Sequence, residues 1–405
     1  MRKFGPGLLV MAAFIGPGTV TTASNAGAQY GFALLWALLF SIVATMVLQE
    51  MAARLGLVSG QGLAQALRTT FANPLFSRLA VILVVAAIGF GNAAYESGNI
   101  SGTSMALANV TPIPRPLWAI ISAFIAMALL ISGRYRIIER ALIVLVVVMS
   151  LVFVATMFAL QPDLGDILKG LLVPSLPQGS LLTVMALIGT TVVPYNLFLH
   201  SSSVREKWPE ADPAQPANMR TALTESRWDT GLSVSLGGLI TLAIVSTAAA
   251  TFWGTDTAFS SATIAQQLQP VLGPAADYFF AAGLFAAGLT SAITSPLAAA
   301  YAVCGAMGWP AQLHQRHFKA VWISVLAAGA IAAATGTRPI AAIIFAQAAN
   351  GFLLPIIAIF LLVVMNRQDL LGDYRNRWWH NVIGVLVILI VTGLSGFKLW
   401  QLLPG

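Results

Sequence analysis

Two short stretches break apolar segments with residues able to hold an ion or a polar solute. In Gly16-Pro17-Gly18-Thr19 a proline stands between glycines with a hydroxyl one residue on; in Gly189-Thr190-Thr191-Val192-Val193-Pro194-Tyr195-Asn196 a proline follows two threonines and precedes a phenol and an amide. Proline has no N–H to donate and crowds the carbonyl four residues back, so Pro17 releases the carbonyl of Ala13 and Pro194 that of Thr190. The glycines remove any steric reason to stay helical. Both helices are expected to unwind there, exposing carbonyls, the hydroxyls of Thr19 and Thr190, and the N-termini of two half-helices. Within a bilayer such backbone persists only where protein buries it or where it lines a watery cavity, so a pair of breaks marks a candidate transport site.

Glu96, in Asn92-Ala93-Ala94-Tyr95-Glu96-Ser97-Gly98-Asn99, places a carboxylate well inside a third apolar stretch. Such a group is expensive there, and it reads either as a handler of protons or cations or as the structural partner of a nearby hydroxyl or amide. His200, near the end of the second broken stretch, reads as a proton carrier or as a histidine hydrogen-bonded at a helix end. No HExxH, CxxC or carboxylate pair accompanies these residues, so no enzyme and no cofactor are expected. Cys304, the single cysteine, reads as a small buried hydrophobe.

The elements that must position these groups are membrane helices. The chain has 405 residues, 58% hydrophobic and only 9% charged, with a mean hydropathy of +0.83. Soluble domains run at roughly 45–50% apolar and about 25% charged residues. Stretches long enough to cross about 30 Å of hydrocarbon lie near 7–29, 32–53, 79–108, 117–133, 141–160, 181–202, 229–253, 277–303, 319–335, 339–365 and 380–401. This predicts an all-α integral membrane protein of eleven spans forming one transmembrane domain over 1–405. With the N-terminus in the cytoplasm, all of the twenty-one basic residues except Arg115, Lys169, Arg338 and Lys398 fall inside. The net charge of +7 is thus a topology signal, and no nucleic-acid partner is expected. The start, Met1-Arg2-Lys3-Phe4, lacks a small-residue cleavage site, so no signal is expected to be removed.

The stretch from Arg205 to Arg227 reads as a cytoplasmic connector, and Ala52 to Pro74 as a loop with a short helix or a segment lying on the inner surface. Broken helices five spans apart predict an inverted repeat, with halves at about 5–160 and 181–365 and an added helix at about 380–401. Gly98 and Gly102 are spaced for close helix packing, and Glu50 with Arg54 for an i,i+4 pair or, less simply, a gate. His314, His317 and His380 fall at loop edges and carry no reading. Trp378, Trp379 and Trp400 suit interfacial anchors.

Six stretches in order resemble the Nramp (natural resistance-associated macrophage protein) family of proton-coupled divalent metal transporters. Gly5-Pro6-Gly7-Leu8-Leu9, Gln29-Tyr30-Gly31-Phe32-Ala33-Leu34-Leu35-Trp36 and Leu48-Gln49-Glu50-Met51-Ala52-Ala53-Arg54-Leu55-Gly56 are similar to its first two helices. Pro194-Tyr195-Asn196-Leu197-Phe198-Leu199-His200-Ser201 is similar to its sixth, Gly288-Leu289-Thr290-Ser291-Ala292-Ile293-Thr294-Ser295-Pro296-Leu297-Ala298 to its eighth, and Ala346-Gln347 with Leu354-Pro355 to its tenth. The resemblance implies a LeuT-type fold and alternating access around a midplane site. It also implies that the family's ligand motif is altered. Where the family has Asp-Pro-Gly-Asn, this chain has Gly16 and Thr19 at the ligating places; where it uses an alanine carbonyl and a methionine sulfur, this chain has Thr190 and Val193. Tyr195 stands for the histidine after the proline, and Asn99 for a glutamate of the proton route, in which Glu96 takes the place of an aspartate. Gln347 matches the tenth-helix ligand.

A neutral cage of carbonyls, hydroxyls and an amide does not easily offset stripping water from a divalent ion. Two readings follow. One is a divalent-cation transporter, with a partly hydrated Mg²⁺, or Mn²⁺, met by Thr19, Thr190 and Gln347 with Glu96 as the nearby charge, and with proton coupling or symport weak or absent. The other is a transporter of the same fold carrying a small organic solute or anion. A monomer in a bacterial inner membrane is expected in either case; a sensor or scaffold has little support, because both breaks are retained.

Overall fold

Proline and glycine set where the helices begin and end. The computed structural model describes residues 15–70, 73–132, 136–336 and 338–402. Pro17, Pro74, Pro194, Pro216 and Pro339 each stand at the first turn of a helix, where the missing N–H would have had no intrahelical partner. Gly60 and Gly308 close two others in the left-handed conformation, φ 70° and 73°, which costs glycine nothing.

In chain order the helices are α1 (Pro17–Tyr30), α2 (Leu35–Ser59), α3 (Leu63–Thr70), α4 (Pro74–Val110), α5 (Arg115–Ser132), α6 (Arg136–Leu160), α7 (Leu164–Leu172), α8 (Leu181–Thr191), α9 (Pro194–Lys207), α10 (Pro216–Phe252), α11 (Ala276–Met307), α12 (Arg316–Thr335), α13 (Pro339–Met365) and α14 (Trp378–Leu402). Among the described residues there is no strand, and ten helices or helix pairs are long and apolar enough to span a membrane. Of the expected first span, residues 7–14, like Gly5-Pro6-Gly7-Leu8-Leu9 and Ala13, lie outside the described residues, and α1 covers the remainder.

Burial separates the centre of the bundle from its rim. In the most apolar 18 residues of each, 94% of the α8–α9 span is buried but only 22% of α14, which presents Leu386, Leu389 and Trp400 outward. In lipid this is the expected arrangement, since apolar side chains lose nothing by facing acyl tails. Around the central pair, α4 packs against α11, α12 and α13, while α1 packs against α8, α10 and α13. Small residues permit the approach. Gly98 faces the Cβ of Ala346 at 3.4 Å from where its own Cβ would stand, and a Cβ on Gly102 would strike Pro17. Their expected packing role is therefore seen, with α13 and α1 as the neighbours.

Two connectors differ from expectation in extent. α10 starts at Pro216, so the connector after α9 shrinks to residues 208–215; a polar helix can run past the bilayer because water satisfies its outer face. The segment after α2 carries α3, whose Leu63, Ala64, Ala66 and Leu67 are buried. That buried face packs against α4 and α11.

Candidate functional site

At the first expected break, Gly16 is an extended residue followed at once by a helix. Gly16 adopts φ −96°, ψ 176°, Pro17 opens α1, and the first bond runs from Val20 N–H to the Gly16 carbonyl at 3.1 Å. The second break is a two-residue gap, Val192 and Val193, between the end of α8 and Pro194 at the start of α9. Backbone freed there finds a partner on α2: the Thr45 hydroxyl, 2.7 Å from the Ser41 carbonyl, lies 3.3 Å from that of Thr191. Two helix N-termini, those of α1 and α9, thus end inside the protein, each a source of free N–H groups and partial positive charge.

The breaks meet. Thr19 Oγ1 and Thr190 Oγ1 are 2.8 Å apart and buried, joining residues far apart in sequence. Gln347 of α13 lies against Gly18 so closely that a Cβ there would overlap its carboxamide; glycine at 18 is what admits the amide to the backbone. Among the described residues, both amide atoms of Gln347, both of Asn196 and the hydroxyl of Ser291 are buried with no hydrogen-bond partner. Leaving one such atom unpaired costs about 1–3 kcal/mol. A group of them beside two helix breaks is what a site for a polar ligand or water requires. Val193, 1% exposed, adds only hydrocarbon beside Pro194.

A buried carboxyl sits one residue away. Glu96, on α4, is fully buried, and its Oε2 accepts from Asn99 Nδ2 at 3.2 Å. Asn99 Oδ1 in turn lies 3.8 Å from where a Cβ on Gly16 would be, with Ser291 Oγ at 2.9 Å and Tyr95 Oη at 3.7 Å. Glu96 Oε1 has no hydrogen-bond partner among the described residues. Behind it, Gly329 of α12 packs on the Glu96 side chain. Tyr195 stands edge-on to Tyr95, ring centroids 5.3 Å apart, so the first turn of α9 touches the helix that carries Glu96.

His200 lies apart from this cluster, two turns along α9. Its Nδ1 is 2.7 Å from Gln49 Oε1 on α2. An amide oxygen only accepts, so Nδ1 holds the proton and Nε2, unpartnered and buried, is left as an acceptor. Beyond α1 in the other direction, Gln267 of the turn Ile264–Leu268 donates to Ser24 Oγ at 2.9 Å and accepts from Thr247 at 3.3 Å. That turn seals α1 to α10.

The structure therefore brings together Gly16, Gly18, Thr19, Thr190 and Gln347, places Val193 and Pro194 at the second break, and sets Glu96 and Asn99 alongside. Sequence reasoning named Asn196 only as part of the second break and did not single out Ser291 or Gln49. Serine, asparagine and glutamine are common in membrane helices and carry no spacing signal; only contacts between helices mark them. Among the described residues no three His, Cys, Asp or Glu side chains cluster.

A bundle of apolar helices in which the N-terminus of α1 meets the α8–α9 break, with unpaired amides of Gln347 and Asn196 buried beside them, has the architecture of a membrane transporter of the LeuT type. The family model described as natural resistance-associated macrophage protein-like matches residues 7–401, and the chain belongs to that family, whose members are transporters and not enzymes. It is 29% identical to the divalent metal cation transporter MntH of Deinococcus radiodurans, covering 99% of this chain and 90% of that one, and 27% identical to the MntH of Yersinia pestis, covering 100% and 96%. Among solved structures, a mutant Eremococcus coleocola manganese transporter superposes with a TM-score of 0.75 at 21% identity, covering 98% of this chain and 86% of that one. Mhp1, a nucleobase-cation-symport-1 family transporter, superposes at 0.60 and 15% identity, covering 98% and 93%. These likenesses are of fold.

Proposed function

We propose that this protein is a secondary transporter that moves a divalent cation across the membrane by alternating access, the ion keeping part of its water shell, with Mg²⁺ favoured over Mn²⁺ and with proton coupling weak or absent. One observation carries the reading. The two breaks are clasped by Thr19 and Thr190 at 2.8 Å, while the residues beside them, Gly16 and Val193, supply neither a carboxylate nor a thioether. Hydroxyls and the Gln347 amide can hydrogen-bond to coordinated water but cannot replace it for a dehydrated doubly charged ion. Mg²⁺ gives up its water reluctantly and suits such a cage. Glu96, one hydrogen bond removed through Asn99, supplies a charge that draws the cation without ligating it. In this reading the halves at about 5–160 and 181–365 rock against each other, the N-terminus is cytoplasmic, and the monomer is the working unit. The divalent-metal names of the curated relatives support the cation class.

A second reading keeps the fold and changes the cargo to a small organic solute or anion. It is favoured by the N-termini of α1 and α9 inside the protein and by the unpaired Asn196 and Gln347 amides, which can donate to such a ligand. Uptake of Mg²⁺, Mn²⁺ and Ca²⁺ into sealed proteoliposomes, with and without an imposed proton gradient, separates the two. Saturable Mg²⁺ uptake without proton entry is the expected result. No flux of any divalent ion by folded protein would overturn the cation reading and leave the second.

A further inference from the structure

At the end of the bundle that carries the basic connectors, away from the helix breaks, lies a cavity of about 330 Å³. Four arginines, Arg54, Arg227, Arg375 and Arg377, and two carboxylates, Glu50 and Asp373, line it. The two sets are not paired off evenly. Glu50 takes both Arg54, at 3.0 Å, and Arg227, at 3.0 Å. Arg54 is otherwise engaged by the Tyr374 carbonyl and Asn376 Oδ1. Arg375 reaches only the neutral amide of Gln368 at 3.3 Å, and the Arg377 side chain has no hydrogen-bond partner among the described residues. An excess of two positive charges thus faces the cavity.

Backbone polarity adds to that excess. α14 begins at this wall with Trp378; Arg377 N–H donates to His380 Nδ1 and the Arg377 carbonyl accepts from His380 and Asn381, which leaves the N–H groups of Trp378 and Trp379 and the partial positive charge of the helix beside Arg377. Trp378 and Trp379 are exposed next to it, as side chains at the depth of lipid headgroups are. We propose that this cavity binds a phosphate-bearing anion, a phospholipid headgroup or free phosphate, held chiefly by Arg375 and Arg377 with Arg227 sharing its exposed face. Guanidinium forks match phosphate oxygens in pairs, and two such forks plus a helix N-terminus satisfy more than one oxygen at once. The site is separate from the transport reading and stands without it.

The test uses the purified full chain. Inorganic phosphate is titrated by calorimetry at low and high salt. In parallel, protein reconstituted in phosphatidylcholine vesicles with and without phosphatidic acid is scored for retained lipid by native mass spectrometry. Saturable, salt-sensitive binding of at least one probe is expected, and Arg375→Gln with Arg377→Gln should weaken it about tenfold or more. Asp373→Asn, which removes an opposing carboxylate, should strengthen it, so the proposal does not depend on a charge-removing variant alone. Binding of phosphate alone names a soluble source; retention of phosphatidic acid without phosphate binding names a lipid. Absence of both, or wild-type affinity in the double variant, overturns the site.

Discussion

Glu96 is the residue on which the cation reading turns. It is fully buried, with Asn99 as its hydrogen-bonded neighbour and one oxygen left free. Glu96→Gln keeps the shape and the capacity to bond Asn99 but removes the charge. Cation uptake should fall to background while the thermal midpoint in detergent stays level or rises, because an ionisable carboxyl with an unpaired oxygen is no longer buried; wild-type uptake would take Glu96 out of the mechanism. Gly16 offers the reciprocal test. Its Cβ position is 2.9 Å from the Ser291 hydroxyl, a terminus that can swing aside, so Gly16→Asp is sterically admissible. An added carboxylate beside Thr19 should tighten Mn²⁺ binding by about tenfold or more and slow its release, since it competes with water for the ion. Calorimetric titration of Mn²⁺ reads the change, and an unaltered affinity would remove Gly16 from the ion's surroundings.

At the scale of elements, close approach of α8 and α13 sets the depth at which Thr190 and Gln347 sit. A Cβ on Gly189 would strike the Gln347 carbonyl and stand 2.6 Å from the Gly351 nitrogen, both of them backbone. Gly189→Ala should therefore lower stability by about 1–3 kcal/mol and impair uptake by moving Gln347. Gly231→Ala on α10 is the matched control: nothing lies within 4 Å of its Cβ position, and helix propensity alone should raise stability by about 0.5–1 kcal/mol. Thermal unfolding followed by size-exclusion chromatography distinguishes them, and equal midpoints would mean that the α8–α13 approach is not tight.

For the whole molecule, Glu50 ties together helices that the sequence holds far apart. It accepts from Arg54 on its own helix and from Arg227 on α10, and lies 3.8 Å from His380 at the start of α14. The i,i+4 spacing of Glu50 and Arg54 foresaw only the first of these. Glu50→Gln would leave Arg54, 3% exposed, without its carboxylate, and should cost about 3 kcal/mol, read as a drop in the unfolding midpoint. A midpoint equal to wild type would mean that Tyr374 and Asn376 suffice to hold Arg54.

The membrane class, most helix positions, the start of α1 at Pro17 and the break at Pro194 were legible in the sequence, because they follow from local chemistry: apolar runs of bilayer length, and prolines that forbid a hydrogen bond wherever they stand. Pro194 and Pro17 needed no partner to announce themselves. The places of Gly16, Thr19, Thr190 and Val193 beside the two prolines were legible too, through the resemblance of the surrounding motifs. What the sequence could not supply was which polar groups face one another. Thr19 against Thr190, Asn99 between Glu96 and Gly16, Gln347 on Gly18, and His380 beside Glu50 rather than idle at a loop edge are contacts between distant helices. They depend on how each helix is rotated and how nearly its neighbours approach, and that is decided by packing over the whole bundle, where no single residue carries the information.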